Sequence, residues 1–91
     1  MVTSIVLINT ERGSVNAVAE QIAGMDGVSE VYSVSGNYDL IAIIRVQDND
    51  ALANLVTNNL RGIEHITQTE TMLAFKAYSK HDLETMFSIG L

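Results

Sequence analysis

The segment Ser35-Gly36-Asn37-Tyr38-Asp39 concentrates polar groups that could bind a small charged molecule. Gly36 and Asn37 adopt positive φ easily, so a tight turn here would expose backbone N–H donors. Asp39 adds a carboxylate that could pair with an ammonium group, and Tyr38 adds a hydroxyl. Such a set suits a zwitterionic ligand. The same residue types are also ordinary in hairpin turns, and the residues alone favour that simpler interpretation.

Thr69 and Thr71 form a second pair of candidate ligand contacts. They lie two residues apart in a predicted strand and should therefore share one face of the sheet. Two neighbouring hydroxyl groups can orient a polar ligand. Threonine is also a good strand former, so strand propensity explains the same pattern without a ligand. Both interpretations stay open on the residues alone.

No combination of residues predicts a catalytic or metal centre. The chain has no cysteine, which excludes thiol catalysis, disulfides and thiolate metal ligands. His65 and His81 lack the partner four residues away that a helical zinc motif needs. Asp48-Asn49-Asp50 lacks the glycine and the bidentate glutamate of a calcium loop, so helix capping explains it better. We therefore expect no catalytic residue, no metal and no cofactor.

Charge argues against nucleic-acid binding by this chain. The net charge is −6 and the pI is near 4.5. A phosphate-binding surface needs clustered basic residues, whereas the five here are scattered: Arg12, Arg45, Arg61, Lys76 and Lys80. The apolar run at the N-terminus is too short for a signal peptide or a membrane helix. We expect a cytoplasmic protein that binds neither nucleic acid directly nor membranes.

Hydrophobic patterning predicts the elements that would position these groups. Strands are predicted at residues 2–9, 28–34, 40–46 and 64–78, the last with a bend or bulge. Two helices lie between them, with apolar faces formed by Val15, Val18, Ala19 and Ile22 and by Leu52, Leu55, Val56 and Leu60. This βαββαβ order defines a ferredoxin-like α+β domain over residues 1–78. In residues 79–91, the Ser79-x-x-Asp82 capping pattern predicts a short C-terminal helical extension.

A weak internal repeat supports two βαβ halves. Gly27-Val28-Ser29-Glu30-Val31 resembles Gly62-Ile63-Glu64-His65-Ile66, and each follows a predicted helix. Right-handed crossovers place both helices on one face of the sheet. The central strands are apolar on both faces, so the other face also needs a cover. We expect a second copy of the chain to pack there. The alternative, that the C-terminal segment folds back over it, offers little cover for a whole sheet.

Three stretches of the chain carry a resemblance to a known family: 5–9, 27–41 and 69–75. The central one contains a Gly-Val turn, a Val-x-Gly-x-x-Asp hairpin and then an apolar strand. Together they resemble the effector-binding and oligomerisation domain of the Lrp/AsnC (feast/famine) regulators, the RAM domain. The resemblance covers nearly the whole chain up to about Tyr78.

The resemblance implies an assembly and a ligand. It implies a dimeric α+β barrel, with four or five dimers in a ring (an octamer or a decamer), and an amino acid effector bound where neighbouring dimers meet. It nominates Gly36, Tyr38 and Asp39 from the turn and Thr69 and Thr71 from the last strand as ligand contacts. Asn37 is the weakest candidate because its position varies in the family.

The family's regulators carry a helix-turn-helix domain ahead of this one, and here the first strand starts at Val2. We therefore expect a stand-alone form that modulates transcription by assembling with itself or with full-length Lrp/AsnC regulators. Residues 79–91 would pack at an edge of the sheet or between dimers. Two alternatives are a cofactor-free monooxygenase of the dimeric α+β barrel class and a purely structural adaptor. The enzyme would need a roomy cavity lined by His, Trp or Asn, and the chain has no Trp.

Overall fold

The computed structural model describes residues 1–78 and 80. The strands are β1 (Val2–Thr10), β2 (Val28–Ser33), β3 (Leu40–Val46) and β4 (Ile66–Ala74). The helices are α1 (Val15–Ala23) and α2 (Asn49–Asn54), and α2 runs directly into a π-helical stretch, Leu55–Leu60, called the π segment below. This order confirms the predicted βαββαβ arrangement.

The four strands form one antiparallel sheet in the order β2-β3-β1-β4. Its helix-facing side holds the core, because alternate residues of β1 and β3 are buried there against α1 and the π segment. The buried apolar residues are Val6, Ile8, Val18, Ile22, Leu40, Ala42, Ile44, Leu55, Leu60 and Ile63. The predicted ferredoxin-like α+β fold is confirmed, with both helices on one face of the sheet.

The π segment is a local departure from the predicted regular helix. In an α-helix two residues five apart differ by about 140° around the axis, since each residue turns about 100°. A π-helical turn closes over five residues instead, as where the Arg61 N–H donates to the Val56 carbonyl at 3.3 Å. This wider turn brings Leu55 and Leu60 onto one face, and both are buried.

Strand and helix ends largely follow the predicted signals. The Asp48 side chain caps α2 by accepting from the Ala51 N–H at 2.8 Å. Ser14 is the residue before α1, as predicted, but its side chain makes no capping hydrogen bond. The last strand is shorter than the predicted 64–78. Its expected bulge is present, because the pairing with β1 shifts by one residue next to Thr10.

The internal repeat is real but shifted by three residues relative to the sequence comparison. Gly27 (φ 92°) directly precedes β2, and His65 (φ 74°) directly precedes β4. The Gly27 carbonyl accepts from the Arg45 N–H at 2.8 Å, and the His65 carbonyl accepts from the Glu11 N–H at 2.7 Å. His65, not Gly62, therefore corresponds to Gly27, and the left-handed residue anchors each turn to a neighbouring strand end.

Among residues 1–78 and 80, no helix is long and apolar enough to cross a membrane. The C-terminal helix predicted within residues 79–91 lies outside the described residues, apart from position 80.

Candidate ligand-binding site

Asp39 fixes the predicted turn to the end of β1 through three hydrogen bonds. Its Oδ2 accepts from the Thr10 N–H at 2.9 Å. Its own N–H donates to the Ile8 carbonyl at 3.0 Å and to Asn9 Oδ1 at 3.1 Å. The Asp39 carbonyl closes the turn by accepting from the Val34 N–H at 3.0 Å. The carboxylate therefore has a structural role in addition to any role in binding.

Tyr38 extends from the turn towards the edge strand β4. Its hydroxyl donates to Glu70 Oε2 at 2.6 Å. This hydrogen bond to the carboxylate, together with desolvation and the negative charge of Glu70, raises the pKa of Tyr38. Tyr38 is therefore a neutral donor at physiological pH, and it is already engaged within the chain.

The tip of the turn is open. Gly36 has φ +112°, and a Cβ built there would meet no heavy atom within 4 Å. Asn37 is exposed as well. The constraint on Gly36 therefore comes from its backbone conformation and not from crowding. The backbone at this tip is accessible to a ligand or to another copy of the chain.

Thr69 and Thr71 lie on one face of the sheet, as predicted. They pair with Ile8 and Val6, whose side chains face the helices. Thr71 lines an open groove of about 340 Å³ beside α2 and the π segment. Thr69 lines a smaller cavity of about 160 Å³ next to Leu60 and Ile63. The two threonines thus lie on the same face of the sheet but line different cavities.

Within one chain, the turn and the threonine pair do not form a single site. Glu70, the partner of Tyr38, pairs with Leu7 and so lies on the opposite face of β4 from Thr69 and Thr71. Neither of the cavities that Thr69 and Thr71 line includes any of residues 36–39. One chain therefore presents two separate polar patches.

Three residues near the turn were not predicted from the sequence as part of the site: Asn9, Thr10 and Glu70. Asn9 and Glu70 hold the turn through hydrogen bonds that span about thirty residues of sequence. Thr10 Oγ1 is buried and has no hydrogen-bond partner among the described residues. An unsatisfied buried hydroxyl is costly. For Asn9 and Thr10, a polar side chain at the end of an apolar strand could have indicated a role near the turn.

The sheet face away from the helices is apolar at its centre. Register places Ile43, Ile5 and Met72 in one row across the strands. Tyr32, Ile41 and Leu7 form a second row, continued by Glu70. Met72 and Tyr32 are 43% and 49% exposed. We call these two rows the open face. At its edge Glu30 accepts a hydrogen bond from the Tyr32 hydroxyl and lies 3.9 Å from Arg45.

The chain is thus a small ferredoxin-like domain with a polar turn held in place by hydrogen bonds and an apolar sheet face that its own helices do not cover. The sequence model of the Lrp/AsnC ligand binding domain matches residues 3–83. The chain therefore belongs to the Lrp/AsnC ligand-binding-domain family, as the sequence resemblance indicated.

Named relatives agree with this assignment. An uncharacterised HTH-type transcriptional regulator from Pyrococcus horikoshii, PH1916, is 41% identical over 58 residues, covering 64% of this chain and 39% of that protein. The crystal structure of TTHA0845 from Thermus thermophilus superimposes with a TM-score of 0.82 at 44% identity, covering 88% of this chain and all of that one. E. coli AsnC shares the fold, with a TM-score of 0.78 at 22% identity over 84% of this chain and 52% of AsnC.

One relative is an enzyme. A homocitrate synthase from Sulfurisphaera tokodaii is 32% identical over 60 residues, which cover 66% of this chain but 13% of that enzyme. The similarity therefore concerns a small part of the synthase. Relatives of this chain occur both within regulators and within a much longer enzyme.

Proposed function

We propose that this chain is an amino-acid-sensing oligomerisation module that modulates transcription in the cytoplasm, by assembling with itself or with full-length Lrp/AsnC regulators. Membership of a ligand-binding-domain family supports the sensing role. Related regulators support the link to transcription. The homocitrate synthase supports sensing in particular, because DNA binding is not a property that an enzyme and a regulator would be expected to share.

The observation that carries the proposal is the preorganised turn. The three hydrogen bonds at Asp39 hold residues 36–39 in place before any ligand arrives, so less conformational entropy is lost on binding. The exposed backbone at Gly36 and Asn37 would donate to the carboxylate of an amino acid. The carboxylate of Asp39 would pair with its ammonium group. Tyr38 would orient the turn through Glu70.

Thr69 and Thr71 would complete this site from a neighbouring copy. They lie on the other face of the sheet from the Tyr38–Glu70 pair, so one chain alone does not juxtapose them with its own turn. In a site shared between dimers, the turn of one copy could lie next to the threonine pair of another. Such a site also links ligand binding to assembly, since a ligand bound between copies stabilises their contact.

The open face would form the dimer. Its two apolar rows are partly exposed in a single chain, and burying them against a second copy removes apolar surface from water. Two such sheets packed face to face give the dimeric α+β barrel. Four or five dimers would then close into a ring and create the seams between turn and threonine pair.

Isothermal titration calorimetry against each of the twenty amino acids tests the sensing role. We expect at least one amino acid to bind, and binding to weaken at least about tenfold in Asp39→Asn, which removes the charge but keeps an oxygen acceptor for Thr10. Glu20→Gln, a charge change on the exposed side of α1, is the matched control and should bind normally. Binding by no amino acid, or unaltered binding by Asp39→Asn, contradicts the proposal.

A monooxygenase-like activity has less support. The space between the sheet and the helices is filled by buried Val18, Ile22, Leu55 and Leu60, where a substrate would have to lie. The adaptor alternative predicts assembly with a helix-turn-helix relative that no amino acid alters. Sedimentation of the mixed proteins with and without the bound amino acid separates it from a sensor.

A further inference from the structure

The two threonines of the candidate site line cavities of different chemistry. The first, called the Thr71 groove below, runs between α2 and the π segment on one side and the edge strand β4 on the other, with a volume of about 340 Å³. The second, the Thr69 cavity, has a volume of about 160 Å³ and includes the positively charged Arg61. An amino acid held against the threonine pair places its side chain next to one of these cavities. The chemistry of that cavity then determines which side chain is accepted.

The Thr71 groove is apolar and open. Its apolar walls are Leu52, Ala53 and Val56 on the helical side and Leu73 on β4. Among the described residues that line it, none carries a charge. A charged side chain placed there would lose its contact with water without gaining a partner of opposite charge, which is unfavourable. The lining therefore favours an uncharged, apolar occupant.

Thr71 lies next to the apolar wall of its groove. Thr71 and Leu73 pair with Val6 and Ser4, both fully buried on the helix-facing side of β1, so the two side chains share that side of β4. Residues two apart along a strand are separated by about 7 Å. A ligand that forms a hydrogen bond with the Thr71 hydroxyl therefore has its own side chain within reach of Leu73.

The Thr71 groove also has more apolar surface left to cover than the Thr69 cavity. Leu73 is 47% exposed although it faces the helices, and Ala53 is exposed on α2. In the Thr69 cavity, by contrast, Leu60 and Ile63 already belong to the buried core. An apolar side chain therefore removes more apolar surface from water in the groove than in the cavity.

We propose that the bound amino acid has an apolar side chain larger than that of alanine, and that this side chain lies in the Thr71 groove. The inference rests on the proposed function, in which the turn of one copy holds the ammonium and carboxylate groups and a neighbouring copy supplies the threonine pair. Those charged groups are common to all free amino acids, so the turn does not select among them. Selection is left to the groove, and the accepted class is leucine, isoleucine, valine, methionine and phenylalanine.

The order of affinities of the wild-type protein tests this class without any variant. Calorimetry should find the tightest binding for a member of the class, at least about tenfold tighter than for alanine, because burial of the larger side chain corresponds to at least that factor. Aspartate, glutamate, lysine and arginine should bind at least about tenfold more weakly than the best ligand. Equal affinities for alanine and the larger apolar amino acids, or tightest binding by a charged one, overturn the proposal.

A charge placed in the groove tests the position of the side chain. Ala53→Glu puts a carboxylate at an exposed position of α2 that lines the groove, and glutamate is a good helix former. Asn54→Glu, the matched control, adds the same charge one residue later, where the side chain lines a different cavity.

We expect Ala53→Glu to bind the best apolar amino acid at least about tenfold more weakly than Asn54→Glu does. It should also bind lysine more tightly than the wild-type protein does, because the side-chain ammonium gains a carboxylate partner. Damage to the fold would not produce that gain. Equal binding of the apolar amino acid by the two variants overturns the proposal.

Failure of this inference is distinguishable from failure of the proposed function. Binding by no amino acid overturns both. A charged amino acid that binds best, and binds at least about tenfold more weakly to Asp39→Asn, overturns the apolar class and leaves the sensing role intact. If that amino acid is acidic and Arg61→Gln abolishes its binding, the side chain lies in the Thr69 cavity and the proposed placement in the groove is wrong.

Discussion

Replacing Asp39 separates its structural role from its proposed role in binding. Asp39→Ala removes the 2.9 Å hydrogen bond from the Thr10 N–H, while the backbone bonds of residue 39 to Ile8 and Asn9 remain possible. Hydrogen bonds to charged groups contribute about 1.5–3 kcal/mol net. Asp39 is half-buried, so we expect a loss near the lower end of that range, about 1.5 kcal/mol.

Asp39→Asn should lose less. Its side-chain oxygen can still accept from Thr10, and a neutral hydrogen bond is roughly half as strong as a charge-assisted one. We expect a loss of about 0.7 kcal/mol on that ratio. Both variants lose the negative charge, so both should bind an amino acid poorly. Asp39→Asn should therefore lose much of its amino acid binding but little of its stability, and this difference distinguishes the two roles of Asp39.

Urea unfolding at one fixed protein concentration measures these losses, since the stability of an oligomer depends on concentration. With a slope of about 1–1.5 kcal/mol per molar, Asp39→Ala should lower the midpoint by about 1 M and Asp39→Asn by about half of that. A wild-type urea midpoint in Asp39→Ala, or equal losses of stability in Asp39→Asn and Asp39→Ala, would contradict the structural role given to this hydrogen bond.

Three further predictions concern the rest of the molecule. Gly27→Ala should destabilise by about 2–4 kcal/mol, because φ is +92° and the new Cβ would lie 2.9 Å from a side-chain carbon of Val46. Gly24→Ala, where contacts are ordinary and φ is −82°, should change thermal stability by less than about 1 kcal/mol, and equal effects in the two variants would contradict this account. The His65 Nδ1 lies 2.8 Å from a carboxylate oxygen of Glu11, and that hydrogen bond and charge raise the pKa of His65. Because the folded pKa is the higher one, the stabilisation is full below the unfolded value of about 6.5 and is lost as pH rises through the folded pKa. Thermal melts from about pH 5.5 to about pH 8.5 should therefore decline in the wild type and less in His65→Asn, and parallel declines would exclude this ion pair as the cause. Ile43→Asp, at the centre of the open face, should prevent formation of the proposed dimer and sediment as a monomer at micromolar concentration, and a stable Ile43→Asp dimer would show that another surface forms the interface.

The sequence predicted the architecture because burial imposes simple periodicities. Val18 and Ile22 follow a helical repeat, and Ala42 and Ile44 follow a strand repeat, so their faces could be assigned from the spacing alone. Those four residues pack together in the core, as their spacing requires. The bounds of β3 matched the prediction, because its largely apolar run is bounded by clearly polar residues.

Long-range and backbone details could not be predicted in the same way. Nothing local to Tyr38 points to Glu70, thirty-two residues later, because only the β1–β4 register brings them together. His65 takes a left-handed conformation that sequence rules assign to glycine, so Gly62 was chosen as the counterpart of Gly27 instead. The π segment places both Leu55 and Leu60 in the core, and this burial is determined by tertiary packing and not by local sequence.

For the candidate site, the sequence identified the residue types and the structure limits how they can act. The turn and the threonine pair were both recognised from polar residues in hairpin and strand contexts. The sequence did not predict that Tyr38 of the turn contacts one face of β4 while the threonine pair lies on the other face. That arrangement follows from the β1–β4 register and from the hydrogen bond of Tyr38 to Glu70. A site that joins them therefore requires more than one copy of the chain.

A crystal structure of the protein grown with a mixture of amino acids would show both the dimer interface and the ligand site. We expect paired open faces and an amino acid between the Gly36–Asp39 turn of one dimer and Thr69 and Thr71 of its neighbour, with the ammonium group against Asp39. An amino acid bound within a single subunit, or open faces left unpaired in the assembly, would contradict this expectation.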